Sequence, residues 1–189
     1  TAMGVPILTM AGYEADDILG TVAKRCQAEG EEVSVVSGDR DLLQLSDTHI
    51  KIRIPKTSRG TTEIHDYYPE DVKREYQVTP TEFVDVKALM GDSSDNIPGV
   101  PSIGEKTATN LIVAYGSIEN AYAHLDEVKP PRARKALEEH YDMAVMSKEL
   151  AEICITCPIP FEYEEAKIEN LYTPEAYQYM KRLEFKSIL

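Results

Sequence analysis

The sequence predicts an α/β unit, part of a mostly parallel-sheet core, followed by an all-α subdomain built around a helix-hairpin-helix. Three observations carry this expectation. Short β-branched runs flank an amphipathic helix in the first forty residues. Strand patterns stop near Pro69, and beyond it helical patterns are separated by Pro and Gly punctuation. A Gly/Pro-rich segment then joins two of those helices. The change of character falls near residue 78, which divides the chain into 1–77 and 78–189.

Val5-Pro6-Ile7-Leu8-Thr9-Met10 reads as a first strand, broken by Gly12. From Glu14 onward, Ala15, Ile18, Leu19, Val22, Ala23 and Cys26 fall on one helix face, and Gly30 is the expected stop. Val33-Ser34-Val35-Val36 is the next strand, so strand, helix and strand predict a right-handed βαβ unit with parallel strands. Asp41 to Leu45 predicts a short helix. His49 to Ile54 alternates strictly, as a half-exposed strand does; Ser58-Arg59-Gly60 turns it, and Thr61 to Ile64 pairs back as a hairpin. Helices are expected over 69–76, 80–90, 105–115, 117–126, 131–140 and 142–154. Glu162, Glu164, Glu165 and Glu169 predict a solvated face.

At 189 residues, 42% hydrophobic and 28% charged, the composition is that of a soluble globular chain. No apolar run approaches the ~18 residues of a membrane span, and no signal peptide is legible. The three cysteines, Cys26, Cys154 and Cys157, argue against a disulfide framework and for a reducing, cytoplasmic setting. Cys154 and Cys157 form a lone CxxC with no second pair or nearby His, which reads as two semi-buried thiols near a helix end rather than a zinc site.

The net charge of −13 has to be reconciled with any anionic partner. Three acidic clusters stand out: Glu14, Asp16 and Asp17 opening the first helix; Asp39 and Asp41 after the second strand; Asp92 and Asp95 at the end of a helix. In a parallel βαβ unit the carboxyl ends of both strands share an edge, so the first two clusters are expected to meet there. Like charges ~4 Å apart repel by on the order of 4 kcal/mol at an effective dielectric near 20, more than a helix N-terminus offsets. Hard divalent cations resolve this, because all-oxygen ligand sets suit magnesium or manganese, and a pair of such ions can hydrolyse a phosphodiester. Each cluster alone also reads as helix capping; it is their meeting at one edge that favours metal.

Asn96 to Ala108 supplies the second signal. Gly104 allows close backbone approach, the helix after it presents unpaired N–H groups, and Lys106 and Thr107 add side-chain donors. Such a hairpin reads a duplex backbone rather than its bases, or serves as a plain helix connector. Lys129, Arg132, Arg134 and Lys135 form a second basic patch, and Lys51, Arg53, Lys56 and Arg59 a third; each also reads as a solvated face.

Gly12-Tyr13-Glu14-Ala15-Asp16-Asp17, Gly38-Asp39-Arg40-Asp41-Leu42, Gly91-Asp92-Ser93-Ser94-Asp95-Asn96-Ile97-Pro98-Gly99-Val100 and Ile103-Gly104-Glu105-Lys106-Thr107-Ala108 occur in order. With these motifs in register, the chain resembles the 5′-nuclease (5′-3′ exonuclease) domains of bacterial DNA polymerases I and, more broadly, the flap endonuclease family. The resemblance implies a nuclease core with a helix-three-turn-helix subdomain and two-metal hydrolysis of 5′ flaps and RNA primers on nicked duplex DNA. It also implies a polymerase half in the same chain and a bacterial cytoplasmic location. Residues matching Glu14, Asp16, Asp17, Asp39, Asp41, Asp92 and Asp95 would hold magnesium or manganese directly or through water, with Asp17, Asp39 and Asp41 as the catalytic candidates. Gly99, Val100, Ser102, Gly104, Lys106 and Thr107 would grip DNA, with a monovalent cation such as potassium on the loop carbonyls. Family members begin with a strand bearing an early metal-binding Asp, a second Asp and a basic helical arch. None of these precedes Thr1, so Thr1 and Leu189 read as boundaries of a fragment expected to be poorly active. Three other readings stay open: a non-catalytic duplex-binding module, a related acidic ribonuclease carrying the hairpin, and a cation-binding scaffold.

Overall fold

The structure, a computed structural model, describes residues 2–58 and 60–188; Thr1, Arg59 and Leu189 lie outside the described residues. Helix α1 (Ala15–Ala28) leads to strand β1 (Val33–Val36), a 3₁₀ turn (Asp41–Leu45), and the hairpin of β2 (Ile50–Ser58) and β3 (Thr61–Tyr67). The remaining helices are α2 (Pro69–Tyr76), α3 (Pro80–Met90), α4 (Glu105–Tyr115), α5 (Ile118–Ala123), α6 (Pro131–Glu139), α7 (Tyr141–Ala151) and α8 (Pro174–Arg182). Among the described residues no helix is long and apolar enough to cross a membrane.

The sheet has the order β1-β2-β3, with β1 and β2 parallel and β2 and β3 antiparallel. The parallel partner of Val33–Val36 is therefore β2, in register Val33↔Ile50 to Val36↔Arg53, and not residues 5–10 as the sequence suggested. Residues 5–10 form no ladder: Pro6 lacks a donor, Ile7 is 71% exposed, and Leu8 and Met10 instead pack on Ile18 of α1. The crossover between β1 and β2 is the 3₁₀ turn, which drives Leu42, Leu43 and Leu45 into the core beside Ile50, Ile52 and Ile54 of β2. Alternation along β2 buries these three isoleucines on one face. On the other face Arg53 and Lys51 both pair with Asp66 of β3, at 2.8 and 3.8 Å, so one carboxylate offsets part of the third basic patch.

Helix starts follow local chemistry. Pro69 opens α2, where the Tyr68 N–H donates to Asp71 at 2.9 Å. Pro80 opens α3, where Thr79 and Glu82 form a reciprocal capping box. Helix α3 is the centre of the molecule: every residue from Phe83 to Leu89 is buried, and it packs against α4, α7 and the 3₁₀ turn. Two of those residues are charged. Asp85 and Lys87 are two positions apart, about 200° around a helix, so they leave α3 on opposite sides. On its side Asp85 accepts from Lys148 of α7 at 2.8 Å and from the Ile118 N–H at the start of α5 at 3.1 Å. A single carboxylate thereby ties three helices together.

The segment after α7 returns to α1. Asp17, Thr21 and Arg25, each one turn further along α1, bind it in order. The Cys154 N–H donates to Asp17 at 2.8 Å, the Cys157 N–H to Thr21 at 3.0 Å, and Arg25 donates to the Cys157 and Ile159 carbonyls at 2.8 Å each. Cys157 is buried and Cys154 half-buried in a second small core with Ile18 and Ile159.

Replacing Lys148 by Met is expected to lower unfolding free energy by about 3 kcal/mol, because Asp85 would be left charged, buried and short of a partner. Urea denaturation at neutral pH checks this; the paired Asp85→Asn, Lys148→Met variant should recover part of the loss. Equal stability of Lys148→Met and the parent would show that the pair does not hold the helices.

Candidate active site

Lys87, leaving α3 opposite Asp85, meets three carboxylates. Its side chain is 5% exposed, and its ammonium group binds Asp41, Asp92 at 2.9 Å and Asp95 at 3.7 Å. One oxygen from each of Asp41, Asp92 and Asp95 falls within 4.8 Å of the others. Asp41 comes from the 3₁₀ turn after β1, whereas Asp92 and Asp95 come from the loop after α3. These groups stand far apart in the chain, and the packing of the 3₁₀ turn on α3 joins them.

Local geometry sets each side chain. Asp39 accepts from the Asp41 N–H at 3.0 Å, which starts the turn. Asp92 accepts from the Ser94 N–H at 2.9 Å and from the Ser94 hydroxyl, and its backbone bridges Ile97 in both directions. The loop closes glycine on glycine. Gly99 has φ +65, and a Cβ there would lie 2.5 Å from the Gly91 nitrogen; Gly91 has φ +75, and its Cβ would lie 2.9 Å from the Ile97 oxygen.

The electrostatics follow from burial and crowding. Burial works against charge on Lys87, but the hydrogen bonds to Asp41 and Asp92 raise its pKa above the ordinary lysine value. Burial raises Asp41, with Asp39 and Asp95 pushing the same way, and together they outweigh Lys87. The Ser94 hydroxyl and Lys87 hold Asp92 down at about 2. Asp16 is raised to about 6 by burial, and then by the charges of Asp39, Asp41, Glu14 and Asp17. The acids of α1 thus share a field with Asp39 and Asp41. Asp17 also serves the backbone, its two oxygens accepting from the Glu14 N–H at 3.1 Å and the Cys154 N–H at 2.8 Å. It secures the first turn of α1, where Glu14 is exposed and Asp16 half-buried.

A cleft of about 820 Å³ runs from Asp41, Lys87 and Asp92 to Glu105 and Lys106 on α4, so the acids and the hairpin helix open onto the same space. Of the hairpin residues singled out in the sequence, Gly99 and Val100 face inward. Their N–H groups donate to the buried Ser147 hydroxyl at 3.1 Å and the Leu89 carbonyl at 2.8 Å, which shapes the hairpin from inside. Ser102, Gly104 and Lys106 are exposed and Thr107 half-exposed. Gly104 caps α4, and Arg132 of the second basic patch reaches over to donate to the Ser102 hydroxyl at 3.1 Å. Arg132 thereby joins the hairpin surface.

Lys87 was missed in the sequence. The available signal was its setting: Asp85 and Lys87 interrupt the apolar run from Phe83 to Met90, and a charge inside such a run must find a partner when buried.

The sequence matches two family models, the 5′-3′ exonuclease N-terminal resolvase-like domain over residues 1–77 and the 5′-3′ exonuclease C-terminal SAM fold over residues 78–173. It is 44% identical over 188 residues to DNA polymerase I of Bacillus caldotenax, covering 100% of this chain and 21% of that protein. It is 44% identical over 177 residues to DNA polymerase I of Bacillus subtilis, covering 94% of this chain and 20% of that protein. The chain thus spans about one fifth of the length of these curated relatives. Among solved structures it is similar to T5 5′-exonuclease with bound zinc ions, at a TM-score of 0.67 and 25% identity, over 79% of this chain and 53% of that one.

Two outcomes are expected. Lys87→Met removes the cation from three crowded carboxylates and should lower stability in EDTA by roughly 3 kcal/mol; millimolar magnesium should restore more of it in the variant than in the parent. Thermal melts with and without magnesium decide this, and an unchanged melting temperature in EDTA would refute it. Gly99→Ala forces the hairpin off Gly91 and should cost on the order of 2 kcal/mol or more in urea denaturation; a neutral substitution would mean the glycine contact is not a constraint.

Proposed function

The chain belongs to the 5′-3′ exonuclease family, and on that premise we propose that it is the metal-dependent DNA-cutting region of a DNA polymerase I. The single observation that carries this reading is the convergence of Asp41, Asp92 and Asp95, the first two of which line a cleft shared with the hairpin helix. Their all-oxygen donor set, within 4.8 Å, suits magnesium or manganese. Bound there, two divalent ions would supply an activated water and neutralise the leaving oxygen of a phosphodiester. The residues of this chain do the rest. Asp41, Asp92 and Asp95 would hold the ions, while Asp39, Asp16 and Glu14 would add negative charge from the turn and α1. Asp17 acts through the first turn of α1 and reaches an ion only through water. Lys87 keeps the three carboxylates together before an ion binds.

The substrate in this proposal is nicked or 5′-flapped duplex DNA, or an RNA primer on it, held by its phosphates. Ser102, the exposed N–H groups at the start of α4, Lys106, Thr107 and Arg132 form the gripping surface, with a potassium ion on the hairpin carbonyls. Residues 1–77 carry the α/β part of the nuclease core and 78–189 the gripping helices, in a protein of the bacterial cytoplasm. Lys87 seated among the acids, with Asp17 committed to backbone amides, supports slow cutting by these 189 residues alone. The same observation favours a second reading, a duplex-binding module without catalysis.

A labelled 5′-flap duplex separates the two. With magnesium or manganese, slow cleavage is expected, abolished in Asp41→Asn, Asp92→Asn, together with a metal-dependent rise in melting temperature absent from that variant. Binding should weaken steeply with salt because phosphates are the contacts. Duplex binding with neither cleavage nor a metal-dependent shift would establish the second reading instead.

A further inference from the structure

The cleft beside the acids is not uniformly polar, and its lining points to a particular occupant. Alongside the carboxylates and α4, the lining includes Tyr76 from α2 with Phe83 and Met90 from α3. The Tyr76 and Phe83 rings meet edge to face, 5.0 Å between centroids, which fixes the tyrosine plane. The Tyr76 hydroxyl is buried and, among the described residues, makes no hydrogen bond of good geometry, and the Glu75 carboxylate that influences it also accepts from the Tyr67 hydroxyl at 2.8 Å. Native proteins rarely leave such a donor unsatisfied. Burial pushes its phenol up to about 12, so it remains a donor. The lining also holds two cations, Arg40 next to the 3₁₀ turn and Lys106 on α4, with Asn110 one turn beyond Lys106.

An anion alone has no use for an aromatic and thioether lining, and the acids at one end repel phosphate. A flat aromatic ring carrying hydrogen-bonding edges and a phosphate tail suits every part of the lining: its ring on Tyr76 and Met90, its edge toward Asn110, its phosphate toward Arg40 or Lys106. At about 820 Å³ the space admits a nucleotide. We propose that this cleft is a nucleobase subsite, taking one unpaired nucleotide of the DNA strand beside the phosphate to be cut, with Tyr76 and Met90 as its specificity-determining residues. The inference rests on the nuclease reading and adds to it a site for the base.

The probe is a 5′-phosphorylated deoxyadenosine dinucleotide, compared with the same molecule lacking its bases, titrated into the 189-residue chain in EDTA. Stacking on an aromatic platform predicts roughly tenfold tighter binding of the dinucleotide than of its abasic analogue. Tyr76→Leu should abolish that difference and Tyr76→Phe should keep most of it. The wild-type Met90 methyl signal, followed by NMR, supplies a measurement independent of whether the variants fold: it should shift with the dinucleotide and not with the abasic analogue. Equal binding of both probes, or an unmoved Met90 signal at saturation, overturns the subsite. If flapped duplex is still bound and cut, only the subsite falls; if it is neither bound nor cut, the nuclease reading falls with it.

Discussion

Helix α3 is buried along nearly its whole length, yet it carries two opposite charges, and the rest of the structure is arranged around satisfying them. Asp85 and Lys87 leave the helix about 200° apart. The carboxylate finds Lys148 and the first amide of α5, which locks the helical half together. The ammonium finds Asp41, Asp92 and Asp95, which joins the α/β half to the loop after α3. A buried charge without partners costs several kcal/mol, so neither side of α3 can move independently of the element that neutralises it. Fold and site are coupled through one helix.

The same coupling explains how so acidic a chain concentrates further negative charge in one place. Repulsion among Asp41, Asp92 and Asp95 is held in check by Lys87 from within and by hydrogen bonds from Ser94 without. The loop after α3 takes up left-handed backbone at Gly91 and Gly99 and also at Asn96. Gly91 and Gly99 approach so closely that no side chain fits at either, and this contact sets where Asp92 and Asp95 stand relative to the hairpin. Ser147 of α7 completes the arrangement by accepting the Gly99 N–H. Family membership and the metal-dependent reading agree with these electrostatics, because an oxygen cage around a cation tolerates charges that would otherwise disperse.

The other end of the acid cluster is tied down from an unexpected direction. Residues 154–159 lie along α1 on Asp17, Thr21 and Arg25, and the Gln44 side chain clamps the approach by bonding the Ala151 carbonyl and the Ile153 N–H at 3.0 Å each. The chain beyond α7 therefore braces the helix whose first turn bears Glu14 and Asp16. Asp17, grouped with the metal ligands by its place in the motif, also has both oxygens on backbone amides and so braces the first turn of α1.

Much of the fold could be read from the sequence because it is written in local chemistry. Prolines at 69 and 80, the Thr79–Glu82 box, and Gly104 and Gly116 bounding α4 specify helices within one or two turns of themselves. The acidic motifs and the hairpin were legible for the same reason, since their residues are adjacent. Pairing between distant segments was not. Residues 5–10 have strand-like composition, but a strand exists only where a partner ladder accepts it, and β1 took β2 instead. Lys87 could be noticed as a charge in an apolar run, yet its partners lie 46 residues away at Asp41 and across a turn at Asp92. Gly99 and Val100 sit in a hairpin motif that suggests contact outward, but their amides point inward, because side-chain and amide direction is decided by what packs beneath. Spacing determined which residues were available to the site; tertiary packing alone decided which of them face one another, because direction and burial belong to pairs of segments and not to either one.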